Sequence, residues 1–180
     1  MNRLPRLDDE DGSVLPVVFL YPGALRCARR PSVVTTVLGS CVAVCLTDRS
    51  RRLSGINHFL LPRSDSDKPS LRYGDVSIDR LLKKMLNLGS QKEDIEAKIF
   101  GGAAVLPANN PEESIGTKNV AAAVERLGQH GIPIVARHTG GTSGMVLRLF
   151  TATGDVLVRR VASMPEQRAT KKPLKISAGR

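Results

Sequence analysis

The sequence predicts a single α+β domain in which mixed or antiparallel β-sheets pack in layers with flanking helices, and three observations carry that expectation. Period-two segments recur at 42–46, 95–100, 145–150 and 155–161, the alternation of half-buried strands. Two stripes at helical spacing lie among them: Val76, Ile78, Leu81, Leu82, Met85 and Leu86, then Val120, Ala123, Val124 and Leu127. Strands with helices inserted between them, without strict alternation, give the α+β class. The chain has no dinucleotide-binding glycine fingerprint, no P-loop and no Cys and His cluster at zinc spacing, so no nucleotide or metal cofactor is expected.

In chain order, residues 1–14 read as a flexible leader carrying the acidic cluster Asp8 to Asp11. It has no apolar h-region and no small-residue cleavage site, so a secretory signal is not expected and the cytoplasm is the expected compartment. Residues 15–163 form the folded domain. Leu15 to Leu20 is a first strand or its approach, and Tyr21-Pro22-Gly23 turns it. Two short buried strands follow, around 42–46 and 55–61, joined by the polar turn from Asp48 to Gly55. Arg63 to Ser70 is a polar loop. Asp75 is the expected N-cap of a helix that ends at Leu88-Gly89. Ile95 to Phe100 is a strand running into Gly101-Gly102, and a loop with Pro107, Asn109, Asn110 and Pro111 follows. A second helix spans Ile115 to Leu127, stopped by Gly128 and Gly131. Ile132 to Ala136 is a strand, His138 to Gly141 a turn, and a hairpin across Ala152-Thr153-Gly154 closes the domain. Residues 164–180 read as a disordered basic tail, with Lys or Arg at 168, 171, 172, 175 and 180.

Composition excludes several function classes. A formal charge of +10 invites nucleic acid as a partner, but two Tyr, four Phe and no Trp leave few platforms for stacking bases. Dedicated nucleic-acid binding is not expected. No apolar run approaches the ~20 residues that cross a bilayer, so no membrane insertion is expected. Three cysteines, an odd number without framework spacing, suit free thiols better than a disulfide scaffold.

The residues with chemistry to offer are Cys41, after Gly39-Ser40 at the head of one apolar run, and His58, in the next. A thiol and an imidazole on neighbouring strands are a candidate nucleophile and base. The competing structural reading treats Cys41 as a small core residue and His58 as a satisfied one. Cys27, between Arg26 and Arg29-Arg30, has basic neighbours that would lower a thiol pKa, but no histidine lies near it in sequence and a non-catalytic role is expected.

The pattern Thr35-x-x-Leu38-Gly39-Ser40-Cys41 followed by Gly55-x-x-His58-x-x-Leu61-Pro62 resembles the signature of the chemoreceptor glutamine deamidases, the CheD family. Arg72-Tyr73-Gly74-Asp75, Ala97 to Ala103, Ile115-Gly-Thr-Lys-Asn-Val120, Thr139-Gly-Gly141 and Thr153 to Arg159 match in the same order. The similarity runs from about 17 to 161. It implies a cysteine hydrolase fold, Cys41 as nucleophile, His58 as its base and Thr35 as the residue completing the site, through its hydroxyl or its carbonyl, with Thr36 as the alternative. An ion pair between Cys41 and His58 would keep the thiolate populated well below the ordinary thiol pKa. Backbone groups near Gly39 and Ser40 are the candidate oxyanion donors, and Tyr73 and Asp75 are candidate substrate-binding residues, Asp75 doubling as the cap. The implied activity is hydrolysis of receptor glutamine side chains to glutamate through a thioester, with no cofactor. The implied partners are chemoreceptor cytoplasmic helices and a CheC-type phosphatase. A non-catalytic adaptor, or a hydrolase or acyl-transferase for another carbonyl, are the alternatives.

Overall fold

The computed structural model of the chain describes residues 14–65, 69–104 and 114–161. The expected leader, basic tail and 107–111 loop lie wholly or almost wholly outside them. Nine strands form two sheets: β1 Val17–Phe19, β2 Ala24–Ala28, β3 Val33–Leu38, β4 Val42–Asp48, β5 Leu53–His58, β6 Ile95–Gly101, β7 Ile134–Thr139, β8 Met145–Phe150 and β9 Asp155–Arg160. The helices are α1, Gly74–Asn87, and α2, Ile115–Gln129.

One sheet has the order β1-β3-β8-β9, the other β2-β5-β4-β6-β7. The pairs β1/β3 and β6/β7 are parallel and the rest antiparallel. The layered α+β arrangement expected from the sequence is the one observed.

Strand β4 explains the layering, because each of its residues is buried and its alternation feeds two cores. Val42, Val44 and Leu46 join Ile78, Leu81, Met85 and Leu127 on the helix side. Ala43 and Cys45 join Leu38, Leu147 and Leu149 between the sheets. The molecule is thus sheet on sheet on helix pair, with the five-stranded sheet in the middle.

Several boundaries differ from expectation, each for a local reason. Asp75 is not the cap of α1: Tyr73 occupies that position without a side-chain cap. Asp75 sits in the first turn, where a carboxylate complements the helix dipole, and it accepts from Val76 N–H at 2.7 Å and Ser64 N–H at 3.2 Å. Ser114 caps α2 by accepting from Thr117 N–H at 3.1 Å. Gly128 continues that helix and Gly131, at φ +68°, ends it. The strand expected at Ile132 begins at Ile134, beyond Pro133. Strands β2 and β3 go beyond the sequence expectation: Arg26 breaks the apolar rhythm of one, and the adjacent Thr35 and Thr36 break that of the other. Among the described residues no helix is long and apolar enough to cross a membrane.

Candidate active site

Antiparallel pairing of β4 and β5 sets Cys45 opposite Ile56 and Val42 opposite Phe59. The same register puts His58 opposite Ala43 and Cys41 opposite Leu60. Cys41 and His58 are therefore diagonal neighbours on one face, positions typically ~7–8 Å apart between residue centres. That face is the one turned toward the four-stranded sheet. The ladder is interrupted beside His58, where the Asn57 side chain takes the Val44 N–H at 2.8 Å.

From the opposite sheet, Thr36 reaches across. Its Oγ1 lies 2.8 Å from His58 Nδ1 and 2.8 Å from the Leu20 carbonyl. A carbonyl can only accept, so the single hydroxyl proton goes to Leu20, and the contact with His58 must be Nδ1–H donating to Thr36. This fixes the imidazole tautomer with the lone pair on Nε2. Nε2 is buried and has no hydrogen-bond partner among the described residues.

The hydroxyl that holds His58 thus belongs to Thr36 and not to Thr35. The reason is strand alternation. Thr36 shares a side with Val34 and Leu38, both in the core between the sheets, whereas Thr35 shares a side with the 49% exposed Val37. Thr35 contributes its carbonyl, which accepts the Leu20 N–H at 2.8 Å and so steadies the residue to which Thr36 donates.

The Cys41 loop is held by its carbonyls. Ala103 N–H donates to Gly39 at 2.9 Å, and Gly102 N–H donates to Cys41 at 2.8 Å. Asn119 Nδ2 donates to Ser40 at 2.9 Å. Gly101 has φ +100°, and a Cβ there would stand 2.3 Å from the Cys41 carbonyl oxygen, so only glycine allows β6 to pass this close.

Burial pushes the half-buried Cys41 thiol above its ordinary range, opposed by a hydrogen bond from its own backbone N–H. Burial pushes His58, 1% exposed, down to about 4. Both shifts favour the uncharged forms and work against the expected ion pair. Cys27 is pushed up to about 11 by burial, with Lys84 opposing. Cys45, fully buried, rises to about 12, with Lys98 opposing. All three cysteines are free; Cys41 and Cys45 both lie on the face that carries His58, but Cys45 is fully buried and of the two only Cys41 is partly open to solvent.

A family model described as CheD, chemotactic sensory transduction, matches residues 60–160. Over 149 residues the chain is 54% identical to a protein of Rhodospirillum rubrum named "Probable chemoreceptor glutamine deamidase CheD", covering 83% of this chain and 85% of that one. The chain belongs to the CheD family. A relative of the same name in Trichlorobacter lovleyi is 39% identical over 86% of this chain and 96% of its own. Another in Methanococcus vannielii is 36% identical over 80% and 95%. A solved structure, the Bacillus licheniformis hypothetical protein YfiH, overlays with a TM-score of 0.42 at 18% identity, over 66% of this chain and 51% of that one, a likeness too distant to carry an argument.

In this CheD-family chain the other candidates sit as follows. Tyr73 pairs with Leu61, just past His58. Asp75 borders a recess of about 100 Å³ with Arg63, Ala122, Glu125, Arg126 and Gln129, a lining that includes neither Cys41 nor His58. Among the described residues no group of three or more His, Cys, Asp or Glu could hold a metal.

The sequence reading missed Asn119. It is fully buried, and its Nδ2 also donates to the Leu60 carbonyl at 2.9 Å. Both neighbours are acceptors, so the amide orientation is dictated. Its signal was present: an asparagine on the buried face of α2 that carries Gly116, Ala123 and Leu127 is a polar group where an apolar one belongs.

Proposed function

We propose that this protein hydrolyses glutamine side-chain amides of chemoreceptors to glutamate with Cys41 as nucleophile and His58 as base. The relatives' names give the reaction and the substrate class, and the observation that carries the residue assignment is the locked His58 tautomer, its Nε2 unpaired on the face that bears Cys41.

The chemistry follows from that geometry. As the sulfur attacks the amide carbon, its proton passes to Nε2, so S–C bond formation and charge separation occur together and no standing thiolate is needed. The imidazolium then protonates the leaving nitrogen, the C–N bond breaks, ammonia departs and a thioester remains. Water gives a proton to Nε2 and attacks the thioester carbon; the C–S bond breaks, the imidazolium returns the proton to the departing Cys41 sulfur, and glutamate is released. Thr36 accepts Nδ1–H throughout and supports the transient positive charge, the part a carboxylate or amide plays in other triads. Backbone N–H groups at Ser40 and Cys41 are the proposed donors to the oxyanion.

The reading extends to partners and place. The cleft mouth beside Cys41 receives glutamine-bearing receptor helices, and a CheC-type phosphatase competes for the same mouth. The protein works in the cytoplasm, with residues 15–163 as the catalytic domain between a leader and a basic tail.

Incubation with receptor cytoplasmic fragments tests the reading. Mass spectrometry should show Gln-to-Glu conversion with release of an equal amount of ammonia, absent with Cys41→Ala. Ammonia-free modification of the fragment, or none at all by the intact protein, would overturn it.

A further inference from the structure

Three consecutive carbonyls, those of Gly39, Ser40 and Cys41, are held by donors, but the middle one differs from its neighbours. Backbone N–H groups of Ala103 and Gly102 hold the outer two, while a side chain, Asn119, holds Ser40. The same amide spans to Leu60, the residue opposite Cys41. Both amide protons are spent on these two carbonyls, and Oδ1 is left buried without a partner among the described residues. A buried acceptor is left unpaired at a cost, and the amide group is retained where an apolar side chain would fill the space without it.

We propose that Asn119 is a positioning residue that turns the Ser40–Cys41 peptide so that the Cys41 N–H faces the sulfur and receives the oxyanion of an acyl group attacked there. In a trans peptide the C=O and the N–H point in opposite directions. Fixing the Ser40 carbonyl against α2 therefore aims the Cys41 N–H the other way. That N–H belongs to the same residue as the sulfur, and it opposes the burial effect on the thiol. A donor already beside the attacking atom is placed for the oxygen of the carbonyl that atom attacks. Aspartate and leucine match asparagine in size but supply no NH₂, so neither can hold both carbonyls. This inference rests on Cys41 as an acyl-accepting nucleophile and is independent of which amide is the natural substrate.

The test compares two reactions of the same sulfur in the intact protein. p-Nitrophenyl acetate acylates Cys41 through an oxyanion, forming the S–C bond and expelling p-nitrophenolate, whereas iodoacetamide alkylates it by displacement without one. In Asn119→Leu the acylation rate should fall about tenfold or more, while the alkylation rate stays within about twofold. With receptor fragments kcat should fall and KM should not. Equal losses in both reactions would mean that Asn119 only keeps the loop folded, and no loss in either would mean that it does not set the peptide; both outcomes overturn the proposal. If Asn119→Leu does not fold, Asn119→Asp is held to the same ratio, and Asn119→Gln, which keeps the NH₂, should recover part of the acylation. Normal acylation of the unsubstituted protein without receptor deamidation would count against the deamidase reading alone.

Discussion

Thr36 Oγ1 and His58 Nδ1 stand 2.8 Å apart although they belong to different sheets. The contact ties His58 to the four-stranded sheet, while Cys41 leads into β4 of the other sheet, and it determines which imidazole nitrogen is free. Thr36→Val keeps the shape and removes the acceptor, leaving Nδ1–H buried and unpaired, a cost of ~1–3 kcal/mol. Where that support is lost from the transition state, kcat should fall about 10- to 100-fold. Thr36→Ser should keep most of the activity. Thr35→Ala, on the other side of β3, should change kcat by less than about twofold. Steady-state ammonia release separates the three; a larger loss in Thr35→Ala than in Thr36→Val would reverse the assignment.

The protonation states predict the pH profile of the thiol. With Cys41 raised and His58 lowered to about 4 by burial, iodoacetamide should react slowly near pH 6 and progressively faster through the alkaline range. A fast plateau near pH 6, lost in His58→Ala, would instead require a standing ion pair.

His58 also links pH to stability. Its folded pKa, about 4, lies below the unfolded value of ~6.5, so between the two the unfolded chain binds more protons. Its contribution is fully present above ~6.5 and is lost as pH falls toward 4. Urea midpoints should decline over that window, and His58→Gln should flatten that part of the decline.

Thiol reactivity should follow burial. Ellman's reagent on the native protein should label Cys41 first, Cys27 later, and Cys45, 0% exposed, only after unfolding. Cys27→Ala and Cys45→Ala should remain active. Rapid native labelling of Cys45 would contradict the core described here.

Gly101 gives a structural prediction at the same site. A methyl group there meets the Cys41 carbonyl at 2.3 Å, at a φ of +100°. Gly101→Ala should destabilise the fold by roughly 1–3 kcal/mol and lower activity further by displacing Cys41. Gly128→Ala, whose added Cβ meets nothing within 4 Å in a helix interior, should be neutral or slightly stabilising.

What was legible in the sequence was what has a local signature. The apolar alternation at Val42, Val44 and Leu46, the helical stripe from Ile78 to Met85 and the turn at Gly154 each report on neighbours a few positions away, and those elements were read correctly. The adjacency of the Cys41 and His58 strands in one sheet also followed, because a short polar turn joins them; the shared face depends on a register that the sequence reading left open. The threonine went to Thr35 through the family spacing, yet a single residue flips the side of a strand, and β3 was not recognised as one. Reading Val34, Thr36 and Leu38 as one inward row would have corrected it. Asn119 shows in the sequence only as a polar residue on an apolar helix face, because its partners, Ser40 and Leu60, are brought to it by tertiary packing. The expected ion pair took no account of the burial of His58, which a sequence does not display and which acts against the charged form.

The groups that hold the Cys41 loop come from far along the chain. Gly102, Ala103 and Asn119 are all synthesised well after Cys41, so the emerging N-terminal half carries an ordinary cysteine with no directed peptide behind it. The ordered Cys41 loop is therefore a late event in the life of the chain, complete only when Asn119 of α2 reaches the Ser40 carbonyl.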